Sequence, residues 1–253
     1  MTNLSLADYL SPFPVYFQGV GYIRKPTLED ISKIGFSYYH VLVSMFSISE
    51  NELINIINGQ NIDGVTPVFD DTEQPCLFDL ITLNTEIIQQ YLQAFNFFIV
   101  GETVFDPMKR SFLVFDEGNN DDYISDRHLN GYIDKENYRS LFQLILAMNY
   151  IKSDVIDITK VKSKRARKIL EKIKQEKAKI KKKSDGNLSI GNIISKVASN
   201  SNINIKDIWC LTIYQLYNEF QEISHKKVID IGSMNYAFAG GDFDLSEWIK
   251  PTE

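Results

Sequence analysis

The sequence predicts a mainly α-helical α+β protein with an N-terminal helical unit that carries one β-hairpin, a long basic connecting helix and a small helical C-terminal unit. Apolar residues recur at helical spacing through most of the N-terminal half, and aromatic and β-branched residues cluster near residues 97–115. Basic residues are concentrated in residues 160–183. The predicted units are residues 1–155, 156–187 and 188–253, and 253 residues with 44% hydrophobic content suffice for two cores.

Two predicted helices follow Pro26. The first spans residues 27–46, with Thr27 as its N-cap and acidic residues in its first turn. Ser49 and Glu52 have capping-box spacing at the start of a second, shorter helix, which Gly59 should end. Together they predict a helical hairpin.

The spacing of apolar residues changes twice in the middle of the N-terminal unit. Residues 79–95 have helical spacing, residues 97–105 and 112–115 are apolar runs typical of a β-hairpin, and residues 135–150 are helical again after Asp134 as the cap. The side chains of this last helix that should face the core are Tyr138, Leu141, Phe142, Ile145 and Met148.

The C-terminal unit contains two further predicted helices, at residues 190–198 and 205–223. The final 25 residues contain several glycines and Pro251, and we expect them to form an irregular wrap. The expected anchors of this wrap are Tyr236, Phe238, Phe243 and Trp248.

Charge is distributed very unevenly along the chain. Residues 160–183 hold 13 of the 27 Lys and Arg residues and only two acidic ones, which gives them a net charge of +11 against −17 for the remainder. Such a segment is expected to meet either nucleic acid phosphates or an acidic protein surface, which can be the chain's own or that of another protein. It has no aromatic residue to stack on a base, so we favour the acidic protein surface and keep nucleic acid as the alternative. The candidate partner-binding residues here are Lys164, Arg165, Arg167, Lys168, Lys172, Lys174, Lys177, Lys179 and Lys181.

Aromatic residues mark the C-terminal unit as a second candidate binding region. Residues 188–220 have the outline of a helix-turn-helix, but the second helix is too apolar for a DNA-recognition helix. Its side chains are better suited to a packed core or to a protein interface. The candidate partner-binding residues are Trp209, Tyr214, Tyr217, Phe220 and Trp248.

The sequence predicts neither a catalytic site nor a metal or cofactor site. The two cysteines, Cys76 and Cys210, lie far apart, and the three histidines are scattered. The acidic loop at residues 116–126 lacks the spacing of an EF-hand, and no glycine-rich phosphate loop is evident. We therefore expect a protein that is not an enzyme, and neither a signal peptide nor a membrane span is predicted.

Three segments resemble phage proteins. GYIRKPTLEDISKIGFSYYHVLVSMF, residues 21–46, resembles the opening of accessory proteins in tailed-bacteriophage tail and baseplate assembly. IWCLTIYQLYNEFQEI, residues 208–223, and GDFDLSEW, residues 241–248, resemble phage proteins encoded among tail-morphogenesis genes of low-GC hosts.

The resemblance implies a non-enzymatic role. It implies a tail or baseplate hub assembly chaperone, or a minor tail component, that binds other tail or baseplate proteins. It also implies a location in the host cytoplasm or in the virion.

Overall fold

The structure is a computed structural model that describes residues 4–59, 76–117, 128–151 and 189–239. Within these ranges it contains ten helices and two small antiparallel sheets, which confirms a mainly helical α+β fold. The predicted connecting helix, residues 118–126 of the predicted acidic loop and residues 240–253 of the predicted wrap lie outside the described residues.

The chain divides into two compact units. The first contains Met1–Lys152 and Thr212–Tyr214, and the second contains Ser153–Leu211 and Gln215–Glu253.

Seven of the described helices lie in the first unit. They are α1 (Leu6–Leu10), α2 (Leu28–Ile34), α3 (Phe36–Met45), α4 (Glu50–Gly59), α5 (Leu77–Ile81), α6 (Thr85–Phe98) and α7 (Tyr138–Met148). The predicted caps of α2 and α4 are confirmed, because the Thr27 and Ser49 side chains form capping boxes with Asp30 and Glu52.

Two predicted helices are each divided in the structure. Gly35, with φ of +87°, separates α2 from α3 within predicted residues 27–46. Between α5 and α6, the Thr82 hydroxyl bonds back to the carbonyl of Phe78 (3.1 Å), and Asn84 then caps α6. The continuous apolar spacing concealed both breaks, because local hydrogen bonds and backbone geometry end a helix without disturbing its period.

The last helix of the unit begins later than the sequence predicted. Asp134 does not cap α7; its carboxylate accepts hydrogen bonds from the backbone of Glu136 and Asn137 in a preceding turn. Helix α7 begins at Tyr138. All five side chains predicted to face the core are nonetheless buried.

The first unit contains more strands than the predicted hairpin. Strands β1 (Val15–Phe17) and β2 (Gly21–Ile23) form a two-stranded ribbon. Strands β3 (Glu102–Asp106), β4 (Ser111–Phe115) and β5 (Leu129–Ile133) form an antiparallel sheet in that order. The first hairpin strand was predicted too early, since Phe97 and Phe98 end helix α6.

The core of the first unit is dominated by aromatic side chains. Phe95 is fully buried, with its ring centroid 5.0 Å from that of Phe112, and Phe46 lies 5.0 Å from Phe142. The Tyr91 ring stacks on Phe142, and its hydroxyl donates to the carbonyl of Met45 (2.8 Å). Burial raises the pKa of Tyr91, so this phenol is a neutral structural donor.

The remaining helices are α8 (Ile190–Asn200), α9 (Ile205–Ile208) and α10 (Ile213–Ala239). The predicted helix at residues 205–223 is therefore two helices, separated by residues 209–212. The predicted irregular wrap is wrong for residues 229–239, because these residues continue α10 as a regular helix.

Candidate protein-binding surface

Helix α10 begins with residues that belong to the first unit. Thr212 and Ile213 are buried. Tyr214 stacks on Tyr9, with ring centroids 4.9 Å apart, and meets the edge of Tyr150 at 5.0 Å. These contacts hold the beginning of α10 in a packed aromatic environment.

The second unit has a small apolar core. Ser189 caps α8 by accepting a hydrogen bond from the Asn192 amide (3.3 Å), which fixes the start of that helix. The Lys196 ammonium lies over the Phe220 ring, 5.6 Å from its centroid. Among the residues of this unit that the structure describes, the buried apolar side chains are Ile193, Ile194, Val197, Ile208 and Leu216.

Burial ends early along α10. Leu216 is fully buried, whereas none of the side chains from residue 217 to residue 238 is buried. Several of these side chains are nonetheless large and apolar. Val228 is 69% exposed, Ile231 59%, Met234 55%, Tyr236 55% and Phe238 90%.

Four of these side chains lie on one side of the helix. Val228, Ile231, Met234 and Phe238 are separated by three or four residues, and successive residues of an α-helix are about 100° apart around the axis. We call this group the distal face of α10. Its spacing is that of a helix face that packs against another protein element.

The electrostatics of the distal face suit an apolar contact. No charged residue occurs from Ile231 to Phe238, so an apolar partner can cover this part without desolvating an ion. The preceding turns carry exposed Lys226, Lys227 and Asp230. The arrangement can bind a complementary apolar surface that is bordered by acidic groups, and it offers no group for covalent chemistry.

The structure places the aromatic residues predicted to bind a partner in different environments. Trp209 is the C-cap that follows α9, and it is 36% exposed. Tyr214 is half-buried against other tyrosines, while Tyr217 and Phe220 are half-buried on α10. The predicted basic residues from Lys164 to Lys181 and Trp248 lie outside the described residues.

Sequence reasoning missed the distal face. Val228, Ile231 and Met234 were not among the predicted binding residues, and Phe238 was assigned to an irregular segment. Gly232, which normally weakens a helix, suggested that the helix had already ended. The spacing of three and four residues that continues through Gly232 was the signal that could have revealed the face.

A polar cluster in the first unit contains Cys76, Asp79 and Lys135. The Cys76 thiol and the Lys135 ammonium both donate to Asp79 Oδ2, at 3.1 and 2.9 Å. Burial, together with the bond to Asp79, raises the pKa of Cys76, so little nucleophilic thiolate forms at neutral pH. The cluster closes the start of α5 and links it to the turn before α7.

Within the ranges that the structure describes, no group of three or more His, Cys, Asp or Glu side chains is arranged to hold a metal ion. None of the described helices combines the length and apolar character needed to cross a bilayer.

A family model matches the C-terminal part of the chain. Residues 179–253, less than a third of the chain, match the family model described as the YomV second domain. No curated protein and no solved structure matches the chain. The matched family is phage-derived, and the matched range includes all of α8, α9 and α10, so the part of the chain that carries the distal face is similar to a phage domain.

Proposed function

We propose that this protein is a non-enzymatic phage assembly factor that binds another virion protein through the distal face of α10. Its role is that of a tail or baseplate hub assembly chaperone or of a minor tail component. The partner presents an apolar groove with acidic groups at its border. The protein acts in the host cytoplasm, and its complex can enter the particle.

One observation carries this proposal. The second half of α10 presents large apolar side chains to solvent at helical spacing, although Ile213 and Leu216 in the first turn of the same helix are buried. Exposed apolar side chains that are contiguous on a helix are typical of a protein interface. The match of this region to a phage-derived family supports a virion protein as the partner.

Affinity purification from phage-infected cells tests the proposal. The tagged full chain should capture a tail or baseplate protein, identified by mass spectrometry. An Ile231→Asp variant should capture at least tenfold less of it, because a carboxylate in the interface must be desolvated. Far-UV circular dichroism checks that the variant remains helical.

Ser233→Asp is the matched control. Ser233 is exposed two residues away from Ile231 and hence on the other side of the helix. It should capture the same protein at the parent level. The proposal is wrong if no tail or baseplate protein is captured, or if both substitutions weaken capture equally.

Nucleic acid is the alternative partner, and the charge of residues 160–183 favours it. In that case the chain binds DNA or RNA with strong salt dependence, because each neutralised phosphate releases counterions. Changing Lys172, Lys174, Lys177 and Lys179 to Glu should then abolish retention on a nucleic acid column. The charge reversals Lys109→Glu and Lys206→Glu serve as controls. If the variant with all four substitutions is still retained on the column, this alternative is eliminated.

A further inference from the structure

We propose that two copies of this chain pair through the distal face of α10, with the two helices antiparallel, and that the second copy occupies this face until a virion protein displaces it. The displacement rests on the proposed function, whereas the pairing itself does not. The distal face complements itself in side-chain size, in charge and in the space around it.

The side chains of the distal face match one another when the helix is reversed. Val228, Ile231, Asn235 and Phe238 alternate by three and four residues, which is the spacing of the contact line between two paired helices. An antiparallel copy centred on the same stretch places the small Val228 of each helix against the large Phe238 of the other. Such pairs of small and large side chains fill the space between helices, and they cover apolar surface that the described residues leave exposed.

The charges at the ends of the stretch are also complementary. Lys227 precedes Ile231 by four residues and so lies about 40° from it around the axis, at the edge of the distal face. In the antiparallel pair it lies beside the last turn of the second copy's helix, which ends at Ala239. The C-terminal end of a helix carries a partial negative charge, which favours a cation at this position.

The space around the helix allows antiparallel pairing. Leu216 is fully buried and lies twelve residues, or about 18 Å, before Val228 along the axis. The second copy's helix ends near Lys227 in the antiparallel pair, well short of the packed residues around Leu216. Parallel helices would instead bring the packed residues of both copies side by side.

The pairing is reversible. The contact covers about three helical turns of each copy, which is small for a stable dimer. Asn235 also places an amide in the contact line, and a polar group there lowers stability. A virion protein that covers a larger surface can therefore displace the second copy.

Sedimentation equilibrium tests the pairing, with the full chain itself as the probe. The average mass should rise from one copy toward two as the concentration increases from about 1 to about 300 µM. Ile231→Asp should weaken the association at least tenfold, because a carboxylate from each copy must be desolvated. Ser233→Asp adds the same charge on the other side of α10 and should associate as the parent does. The inference is wrong if the parent stays monomeric throughout, or if both variants weaken the association equally.

Disulfide formation tests the orientation of the two helices. In a chain with Cys76→Ser and Cys210→Ser, a mixture of Val228→Cys and Phe238→Cys proteins should form a disulfide-linked pair, since a disulfide needs Cα atoms within about 7 Å. Neither variant should form one alone, because equivalent positions lie about 15 Å apart along antiparallel helices. Linkage of each variant with itself, or no linkage in the mixture, would contradict the inference.

A charge reversal tests the position of Lys227. Lys227→Glu should weaken the association about two- to fivefold, because it brings a negative charge to the C-terminal end of the second copy's helix. Lys226→Glu is the matched control, since it lies about 140° from Ile231 around the axis and should have no effect. Equal effects of the two reversals would contradict the antiparallel arrangement.

The two proposals can fail separately. Sedimentation needs no virion protein, and the affinity purification needs no pairing. If both hold, the disulfide-linked pair should capture at least tenfold less virion protein than the same mixture after reduction, because the linked copies occupy each other's distal face. Equal capture before and after reduction would show that the second copy does not occupy the site of the virion protein.

Discussion

The aromatic core of the first unit and the distal face of α10 use the same kinds of side chain in opposite ways. Phe95 is fully buried among other rings, whereas Phe238 is 90% exposed. Phe112 and Phe142 complete a core in which nearly every large side chain is covered. The difference is one of burial: the rings of the first unit's core are covered by that unit's own residues, whereas the described residues leave the distal face exposed.

The core should show the largest effect of a single substitution. Phe95→Ala removes a ring that touches several others, and we expect it to lower the free energy of unfolding by about 3–5 kcal/mol. Phe13→Ala, at a phenylalanine that is 72% exposed, should change it by less than about 0.5 kcal/mol. Denaturant unfolding measures both. Similar losses for the two variants would remove the distinction between buried and exposed rings.

Helix α10 allows the same comparison along one element. Leu216→Ala should destabilise the protein by about 2–5 kcal/mol, because the side chain is fully buried. Ile231→Ala should lower the free energy of unfolding much less, but it should reduce capture of the partner. If Ile231→Ala destabilised the fold as strongly as Leu216→Ala, the distal face would be part of the core and not a binding surface.

Gly131 and Gly191 differ in how much space surrounds the backbone. A Cβ at Gly131 would lie 2.2 Å from the carbonyl oxygen of Gly19, where β5 meets the β1–β2 ribbon. We expect Gly131→Ala to lower the free energy of unfolding by about 1–3 kcal/mol. Gly191→Ala on α8 meets nothing closer than 3.8 Å and should be neutral or stabilising by up to about 1 kcal/mol. Thermal unfolding distinguishes the two.

The smallest expected effect concerns pH. Burial alone would raise the pKa of Asp79, but hydrogen bonds from Cys76 and Lys135 lower it below the ordinary value. Because the folded-state pKa is the lower one, the carboxylate stabilises the fold above the ordinary pKa of aspartate, about 4. This contribution is lost as pH falls through the folded-state value. Asp79→Asn should therefore flatten the decrease in the free energy of unfolding below about pH 4. Denaturant unfolding at a series of pH values measures this decrease for the parent and the variant. An unchanged decrease would contradict this role.

Features that depend on neighbouring residues in the chain were predictable from the sequence. The Thr27 cap, the pairing of Ser49 with Glu52 and the buried side of α7 follow from local spacing. Strand β5 was not predictable, since Leu129–Ile133 contains Asn and Gly and forms a strand by pairing with β4. The break at Gly35 was not predictable either, because the apolar spacing on both sides of this residue is that of one continuous helix.

The candidate site could be predicted only in outline. The sequence indicated an apolar C-terminal helix with interface character, and the structure extends that helix to Ala239. Which apolar side chains are covered depends on tertiary packing. The exposed ones therefore emerged only with the structure, and they lie further along α10 than Tyr217 and Phe220.

Photo-crosslinking tests the central claim most directly. A benzoylphenylalanine at position 231 of the full chain, irradiated in phage-infected cells, should form a covalent adduct with one tail or baseplate protein. The same group at position 233 should give at least tenfold less adduct, because it faces away from the contact. Equal adducts at the two positions, or none at position 231 while the virion protein is still captured, would contradict binding through the distal face of α10.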